Sequence, residues 1–457
     1  MQLAAVVLSW CLMVSATASF AGGRRPYGGS VDIPVRDFLG LVDPHVVESR
    51  SSRLVADLVH ARLFRFSDGR LSGELSAGLG QVSGDTLTVT LVEAARFHDG
   101  SPVEASDVVA SLRRLASLGE VSPIGRLVAA LQVSAQGPRT VVIAMPRQSS
   151  AEEVRLLLAR PEAAILESGQ PGRGAGAFKP QPGEGERRVL VAWDGYALGR
   201  PWLQEIRLSR VTAEREESAF RFGDIELSFE APQGPTSATT IRGGFTSWLV
   251  VFHPRYRSLP TFRGWVRQAI LDARLTRYVD GRGMPADLPW PDPLAPIAAP
   301  TRSAVSATGR PELVVAFAKG EPDSEELARA LRDAISPMAL GNARVVGLPG
   351  VTASAARAAS DPAWDLALVR WDWAALSKAQ AVHELARVLG IDPPRPADVL
   401  GRRINDWSAD LVRRHDAIAA AHAERPVHLV SRIVGVAPSG PLPNLGSGFR
   451  ARGGGAP

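Results

Sequence analysis

Apolar and polar positions change their period several times along this chain, and each change marks an element. Thr86-Leu87-Thr88-Val89-Thr90-Leu91-Val92 alternates, the period-two pattern of a half-buried strand. Asp99-Gly100 supplies turn geometry, and from Glu104 to about Leu118 apolar residues recur at helical spacing. Upstream, Val31 to Val35 reads as a first strand and Ser51 to Val59 as a helix. Leu63-Phe64-Arg65-Phe66, Asp68-Gly69 and Leu71 read as a hairpin. Thr140 to Ala144 alternates again, and Ala151 to Leu158 predicts a short helix.

The later half has a different rhythm. Trp248-Leu249-Val250-Val251-Phe252 is an uninterrupted apolar run ending at His253. Pro285 to Pro311 is rich in proline and alanine without periodicity, and reads as a surface connection. Pro311 to Phe317 predicts a strand, Ser324 to Ile335 a helix and Asn342 to Leu348 another strand. Glu325 and Glu326 sit at the start of that helix, where its dipole favours acids. The strand-helix-strand order predicts a parallel α/β unit. Asp410 to Glu424 has helical spacing, and Arg425 to Leu429 reads as a strand.

A chain of 457 residues has ample material for a buried core and two or three domains. Its 45% hydrophobic and 22% charged content is that of a globular protein. There are 52 Lys and Arg against 47 Asp and Glu, and the arginines are scattered among acids, so no basic stripe for nucleic acid forms. Met1 to Ala21 carries an apolar run from Leu3 to Val14 and then small residues, the layout of a cleavable secretory signal ending at Ala21. No Lys or Arg precedes the run, so an uncleaved N-terminal anchor is the alternative. Cys11 is the only cysteine, so cleavage after Ala21 would leave a mature chain with no disulfide and no thiol chemistry.

Catalytic patterns are missing. The eight histidines show no His-Glu-x-x-His spacing, and His415 and His422, seven apart, lack a nearby third ligand. No serine sits in a Gly-x-Ser-x-Gly elbow. Glu152-Glu153, Glu216-Glu217 and Glu325-Glu326 lie in helical runs where acids usually face water. His98 reads as a turn residue packing at the surface. Gly174-Ala175-Gly176-Ala177-Phe178 fails as a phosphate loop and reads as a turn that lets strands approach closely. Neither an enzyme, a metal site nor a bound cofactor is expected.

Phe97-His98-Asp99-Gly100-Ser101-Pro102, followed by Glu104-Ala105-Ser106-Asp107-Val108-Val109, resembles a signature of the family 5 extracellular solute-binding proteins. Those are the oligopeptide, dipeptide and nickel receptors of ABC importers. Asp43-Pro44, Ala163-Ala164-Ile165-Leu166 (a strand in the family), Trp193 to Ile206, Phe222 to Leu227 and Val266-Arg267-Gln268-Ala269-Ile270 resemble further family segments. Asp365 to Trp373 resembles another, without the Tyr-x-Asp-Pro that ends it in the family.

The resemblance implies a two-lobed α/β periplasmic-binding-protein fold of the peptide and nickel cluster, its lobes joined by a hinge with a ligand cleft between them. It divides the chain into a signal peptide 1–21, a flexible leader 22–30, lobe I 31–254 with a subdomain, lobe II 255–424, a return to lobe I 425–450 and a disordered tail 451–457. It implies a monomer, sent to the periplasm, that captures a peptide or similar small solute and delivers it to an ABC transporter permease by hinge closure. The ligand candidates are Trp371, Asp372 and Trp373 first, Asp372 standing nearest to the aspartate that pairs with a peptide's amino terminus in the family. Trp248 and His253 flank the crossover between lobes, and Glu48, Arg50 and Ser51 fall where members line the first lobe's side of the cleft. For Trp248 core packing is the alternative, and for the last three a plain surface role. The departures from the family pattern also fit a degenerate member that transports nothing and serves as a periplasmic scaffold or sensor partner.

Overall fold

The computed structural model describes residues 27–35, 42–47, 49–170, 173–182, 187–230, 238–257, 259–279, 282–284, 291, 312–321, 323–338, 342–349, 356, 360, 362–413, 418–434, 436–439 and 442–450. The secretory signal, Glu48, His415 and nearly all of the Pro285–Pro311 connection lie outside the described residues.

The N-terminal part begins with strand β1 (Ser30–Val35) and helix α1 (Arg50–Val59), followed by the hairpin β2 (Phe64–Ser67) and β3 (Arg70–Gly73). Strands β4 (Gln81–Ser83), β5 (Thr86–Thr90), β6 (Gln132–Ala135) and β7 (Thr140–Ala144) form an antiparallel sheet in the order β4-β5-β7-β6. Helix α2 (Ala105–Ser117), the single turn α3 (Gly125–Val128) and α4 (Ala151–Leu157) accompany it. Strands β8 (Phe178–Pro180), β9 (Arg187–Ala192) and β10 (Glu205–Arg210) join β1 in a second sheet, β1-β10-β9-β8, in which β1 runs parallel to β10. Helix α5 (Ala213–Phe222) and β11 (Leu227–Ser228) lead out of it.

The signature corner is a lock in this part. Gly100 takes φ 93° in the turn, and Asp99 Oδ1 accepts from the Ser101 N–H at 2.9 Å. The Asp107 carboxylate accepts from the Glu104 N–H at 2.9 Å and so caps α2. His98 is buried, not at the surface: its N–H donates to the Gly174 carbonyl and its Nε2 lies 3.1 Å from the Gly176 carbonyl. The glycine loop in turn lies flat on the end of α1. A Cβ at Gly174 would stand 1.8 Å from the Val59 carbonyl oxygen, and one at Gly176 2.6 Å from that of Leu58. The corner therefore holds α1 through the loop, which fixes where the other end of α1 points.

The rest of the chain is organised by one mixed sheet. Strand β12 (Ala238–Phe252) is followed by helices α6 (Pro254–Arg257) and α7 (Pro260–Ala273), then β13 (Arg282–Met284), β14 (Leu313–Ala318), α8 (Ser324–Ile335) and β15 (Ala343–Leu348). Strand β16 (Leu366–Asp372), helix α9 (Lys378–Leu389) and strand β17 (Ala419–Val430) complete it. The order is β11-β17-β12-β16-β14-β15, with β13 beside β17. Strand β14 is parallel to β15 and β16, whereas β12 is antiparallel to both β16 and β17. The α/β unit foreseen around β14 is thus parallel, but the sheet as a whole is mixed.

Period-two alternation divides the core. Trp248, Val250 and Phe252 of β12, Val315 and Phe317 of β14, and Leu366 and Leu368 of β16 face α7 and α8 in one cluster. Leu249, Val251, Ala316, Ala367, Val369 and Trp371 face the other way, in a cluster with α9 and the N-terminal core. No helix among the described residues is long and apolar enough to cross a membrane.

Two expectations need correction. Residues 419–424 are strand, not helix; the last helix there is Asn405–Arg413. An alanine-rich run suits a helix locally, but this one fills a ladder position with β12 on one side and β13 on the other, and paired neighbours override propensity. His422 consequently belongs to no helical face shared with His415: it is fully buried, its Nδ1 2.6 Å from Ser247 Oγ. Ala163 ends a 3-10 turn (Pro161–Ala163), and Ala164–Leu166 is extended without forming a strand, because its N–H groups bond singly, Ile165 to the Ala61 carbonyl and Leu166 to Ser111 Oγ.

Candidate functional site

Four elements converge where the N-terminal part meets the large sheet. The first turn of α1 brings Arg50 and Arg53, three apart and hence on one helix face. Strand β12 brings Gly244, Phe245 and Thr246 just after its register slips between Ile241 and Gly244. The end of β16 brings Asp372 and Trp373, and Leu442 comes from a short strand, Leu442–Asn444, near the C-terminus. These residues line one small cavity, with room for little more than a water molecule.

Its electrostatics are set by two cations and one anion. Arg53 is 2% exposed; its Nε donates to Glu162 Oε1 at 3.1 Å and its Nη1 to the Asp372 carbonyl at 3.0 Å. Its third nitrogen, Nη2, is buried with no hydrogen-bond partner among the described residues. Arg50 is also buried; its Nη2 donates to the Arg425 carbonyl at 3.0 Å and its guanidinium lies 4.6 Å from the Phe229 ring centroid. Burial pulls the Arg50 pKa down to about 10, and the charges of Asp372 and Glu230 offset this only in part. Asp372 Oδ1 accepts from Thr246 Oγ1 at 2.6 Å and lies 3.5 Å from Arg370 Nη2, so part of its charge is already engaged. Arg370 is itself bound to Glu230 through both nitrogens, at 2.6 and 3.1 Å, and these charges hold its pKa well above the ordinary value despite burial.

The walls are stiffened by buried polar contacts. Trp373 Nε1 donates to Ser247 Oγ at 2.6 Å, and Trp371 Nε1 to Glu384 Oε1 at 2.8 Å. Glu384 also accepts from the Ala374 N–H at 3.0 Å and from Arg160 at 3.2 Å, tying α9 to the strand end and to the N-terminal part. Arg160 and Arg53 share Glu162; burial would raise that carboxyl, but the two guanidinium charges outweigh it and hold it at about 2.

Of the residues singled out in the sequence, Arg50, Asp372 and Trp373 meet at this cavity. Trp371 is buried behind it, between the guanidinium groups of Arg53 (5.9 Å) and Arg387 (5.6 Å). Ser51 is buried without lining it, so neither it nor Arg50 is a surface residue. Trp248 is a core residue with no exposure, its Nε1 donating to Ser324 Oγ at 3.2 Å. His253 packs edge-on to Tyr256 and Trp364, outside the cavity. Arg53 and Thr246 were missed; the i, i+3 spacing of Arg53 from Arg50 was the available signal. Glu153 and Glu216 are buried too, contrary to the expectation of solvated acids. Glu216 Oε1 accepts from the Phe229 N–H at 2.6 Å and the Glu230 N–H at 3.2 Å, while Glu153 binds Ser377 and Arg402. No group of three or more His, Cys, Asp or Glu among the described residues is placed to hold a metal ion.

Comparison with known proteins accords with this architecture. Residues 75–269 match the family described as bacterial extracellular solute-binding proteins, family 5 Middle. No curated protein matches the chain by sequence. Among solved structures, the OppA of Haemophilus influenzae in complex with RPPGFSPFR superposes with a TM-score of 0.75 at 12% identity, covering 94% of this chain and all of its own. The oligopeptide-binding protein AppA of Bacillus subtilis, in complex with a nonapeptide, gives 0.73 at 13% identity, over 94% of this chain and all of its own. AgaA of A. tumefaciens R10, in complex with agropinic acid, gives 0.74 at 19% identity, over 93% and 99%. At such identities the likeness establishes the fold: the two-lobed α/β architecture of periplasmic binding proteins.

Proposed function

We propose that the chain, whose residues 75–269 match the bacterial extracellular solute-binding proteins of family 5, is such a protein, and that it captures a small solute at the Arg50–Asp372 cavity and hands it to an ABC importer. The observation that carries this is the cavity itself, to whose lining Arg50, Arg53, Thr246, Asp372 and Trp373 contribute from different elements. The relatives in complex with a nonapeptide and with agropinic acid make a peptide-like or other small solute a reasonable cargo. The division at residues 31–254, 255–424 and 425–450 places a hinge on β12 and β17. There the register slip and Gly243, whose Cβ would stand 1.8 Å from the Arg425 carbonyl oxygen, mark the crossing point. Closure about those strands would couple capture to recognition by the permease. The N-terminal 21 residues act as the export signal, and the mature protein works as a periplasmic monomer.

A second reading has its own support. Trp371 is engaged with Glu384, and the cavity has room for little more than a water molecule, far less than pockets for drug-sized ligands, roughly 300–1,000 Å³. A cleft so furnished with its own side chains also suits a non-transporting scaffold or sensor partner. Native mass spectrometry of protein isolated without refolding separates the two. An extra mass that is lost on denaturation is the expected result. An apo mass with no thermal shift across peptide and metal-chelate libraries would favour the scaffold.

A further inference from the structure

We propose that residues 374–404 form a latch built into the chain, which ties the two lobes together and keeps the Arg50–Asp372 cavity shut until it parts. The inference rests on the capture reading above. The latch starts directly after the cavity residues Asp372 and Trp373, runs through helix α9 and ends beyond the short helix Pro396–Leu400. A helix at a protein surface keeps one face for water. Helix α9 keeps none: from Ala379 to Leu389 every residue is buried, Gln380, His383, Glu384 and Arg387 included. The N-terminal part meets it with charge. Arg160 donates to Glu384 Oε2 at 3.2 Å, and Ser377 Oγ, at the start of the helix, donates to Glu153 Oε2 at 2.7 Å. The seam continues past the helix. Arg402 donates to Glu153 at 2.8 Å and to Glu152 at 2.9 Å, the Ser150 N–H donates to the Leu400 carbonyl at 2.7 Å, and Arg403 binds the Gln148 side chain.

Three features mark this seam as an interface that parts, not as permanent core. Its contacts are largely polar, as they are between domains that move against one another. It leaves Gln380 Nε2 and His383 Nδ1 buried with no hydrogen-bond partner among the described residues, a cost that well-packed cores avoid. The backbone is also strained on both sides of it. Gln148 takes φ 64° and Arg402 φ 59°, left-handed values that a residue with a side chain disfavours. The two strained segments meet closely, since a Cβ at Gly401 would stand 3.0 Å from the Gln148 carbonyl oxygen. Hydrogen bonds of the seam hold that strain, and opening releases it. While the latch is engaged the cavity has room for little more than a water molecule, so a solute enters only once α9 has moved off α4.

Native-state hydrogen exchange of the full chain, read peptide by peptide in low urea, tests this without any ligand. In the unmodified protein, peptides from 378–403 should exchange through an opening that depends less on urea than exchange in β14 and β16, whose amides wait for global unfolding. Arg402→Gln removes two charge-assisted bonds, so it should speed exchange at 378–403 about fivefold or more and leave β14 unchanged. Small-angle X-ray scattering should show that variant to be larger than the unmodified protein. Circular dichroism checks its folding. The urea comparison needs no variant, so a misfolded Arg402→Gln does not rescue the idea. A latch that exchanges with the same urea dependence as β16 would overturn the inference, and so would a folded Arg402→Gln unchanged in exchange or in scattering. Capture is decided separately, by native mass spectrometry of the isolated protein.

Discussion

Replacing Glu384 by Gln and by Ala should give two distinct losses of stability. The side chain is 1% exposed and serves three donors: the Trp371 indole at 2.8 Å, the Ala374 N–H at 3.0 Å and Arg160 at 3.2 Å. Glutamine keeps an oxygen where Oε1 stands, so the first two bonds survive. It places an NH₂ where Oε2 meets Arg160, turning a charge-assisted bond into two opposed donors. Arg160 still has Glu162 at 3.0 Å. The loss should then be that of one charged hydrogen bond, about 2 kcal/mol. Alanine also strands the indole and a backbone N–H, each costing about 1–3 kcal/mol. Its total should approach the 3–5 kcal/mol typical of breaking a buried ion pair, or about twice the glutamine value. Urea unfolding followed by tryptophan fluorescence and far-UV circular dichroism measures both. Equal losses for Gln and Ala, or losses below about 0.5 kcal/mol for either, would refute the reasoning, since surface substitutions alone reach that size. Arg160→Met should cost less in the Glu384→Gln background than alone, because it removes the opposed donor.

Other outcomes follow from the same geometry. Gly243→Ala puts a Cβ 1.8 Å from the Arg425 carbonyl oxygen and 2.5 Å from Arg50 Nη2, so β12 and β17 must part; a loss of about 1–3 kcal/mol in thermal unfolding is expected, with weaker solute binding in the same preparation. Tyr196→Phe removes a hydroxyl that donates to Glu74 at 2.6 Å and accepts from Arg65 at 3.1 Å, and urea titration should show a loss of about 1–2 kcal/mol. Burial lowers His60 to about 3, His98 to about 4 and His383 to about 3. These folded values lie below the unfolded value near 6.5, so below that pH the unfolded chain binds more protons. Stability should be complete above pH 6.5 and fall towards pH 4 by about 1.4 kcal/mol per pH unit for each histidine. A urea midpoint that stays flat from pH 7 to pH 4.5 would contradict the burial of these rings.

The candidate site was partly legible in advance. Arg50, Asp372 and Trp373 came from segments that resembled the family's cleft segments, and the structure places them on one cavity. Arg53 was passed over although its spacing from Arg50 was plain. Nothing in a sequence says that a charged helix face is buried, and that depends on what α9, β16 and Glu162 bring against it. Glu153 and Glu216 were misjudged for the same reason: paired acids in helices usually face water, unless distant donors such as Arg402 or the Phe229 N–H claim them.

By itself the sequence determined what local periodicity and turn chemistry can carry. It gave the Asp99-Gly100 corner, helix α8 from Ser324 to Ile335, and the parallel pair β14 and β15. Each of these satisfies its hydrogen bonds within a short stretch or between near neighbours, so the pattern is written where it acts. Only the tertiary structure decided that Ala419 to Glu424 is a strand, that Gly174 and Gly176 lie against the end of α1, and that Arg53 faces a cavity. In each case the partner is more than 100 residues away, on β12, on α1 or on β16, and the free energy comes from pairing and packing that a local window does not contain.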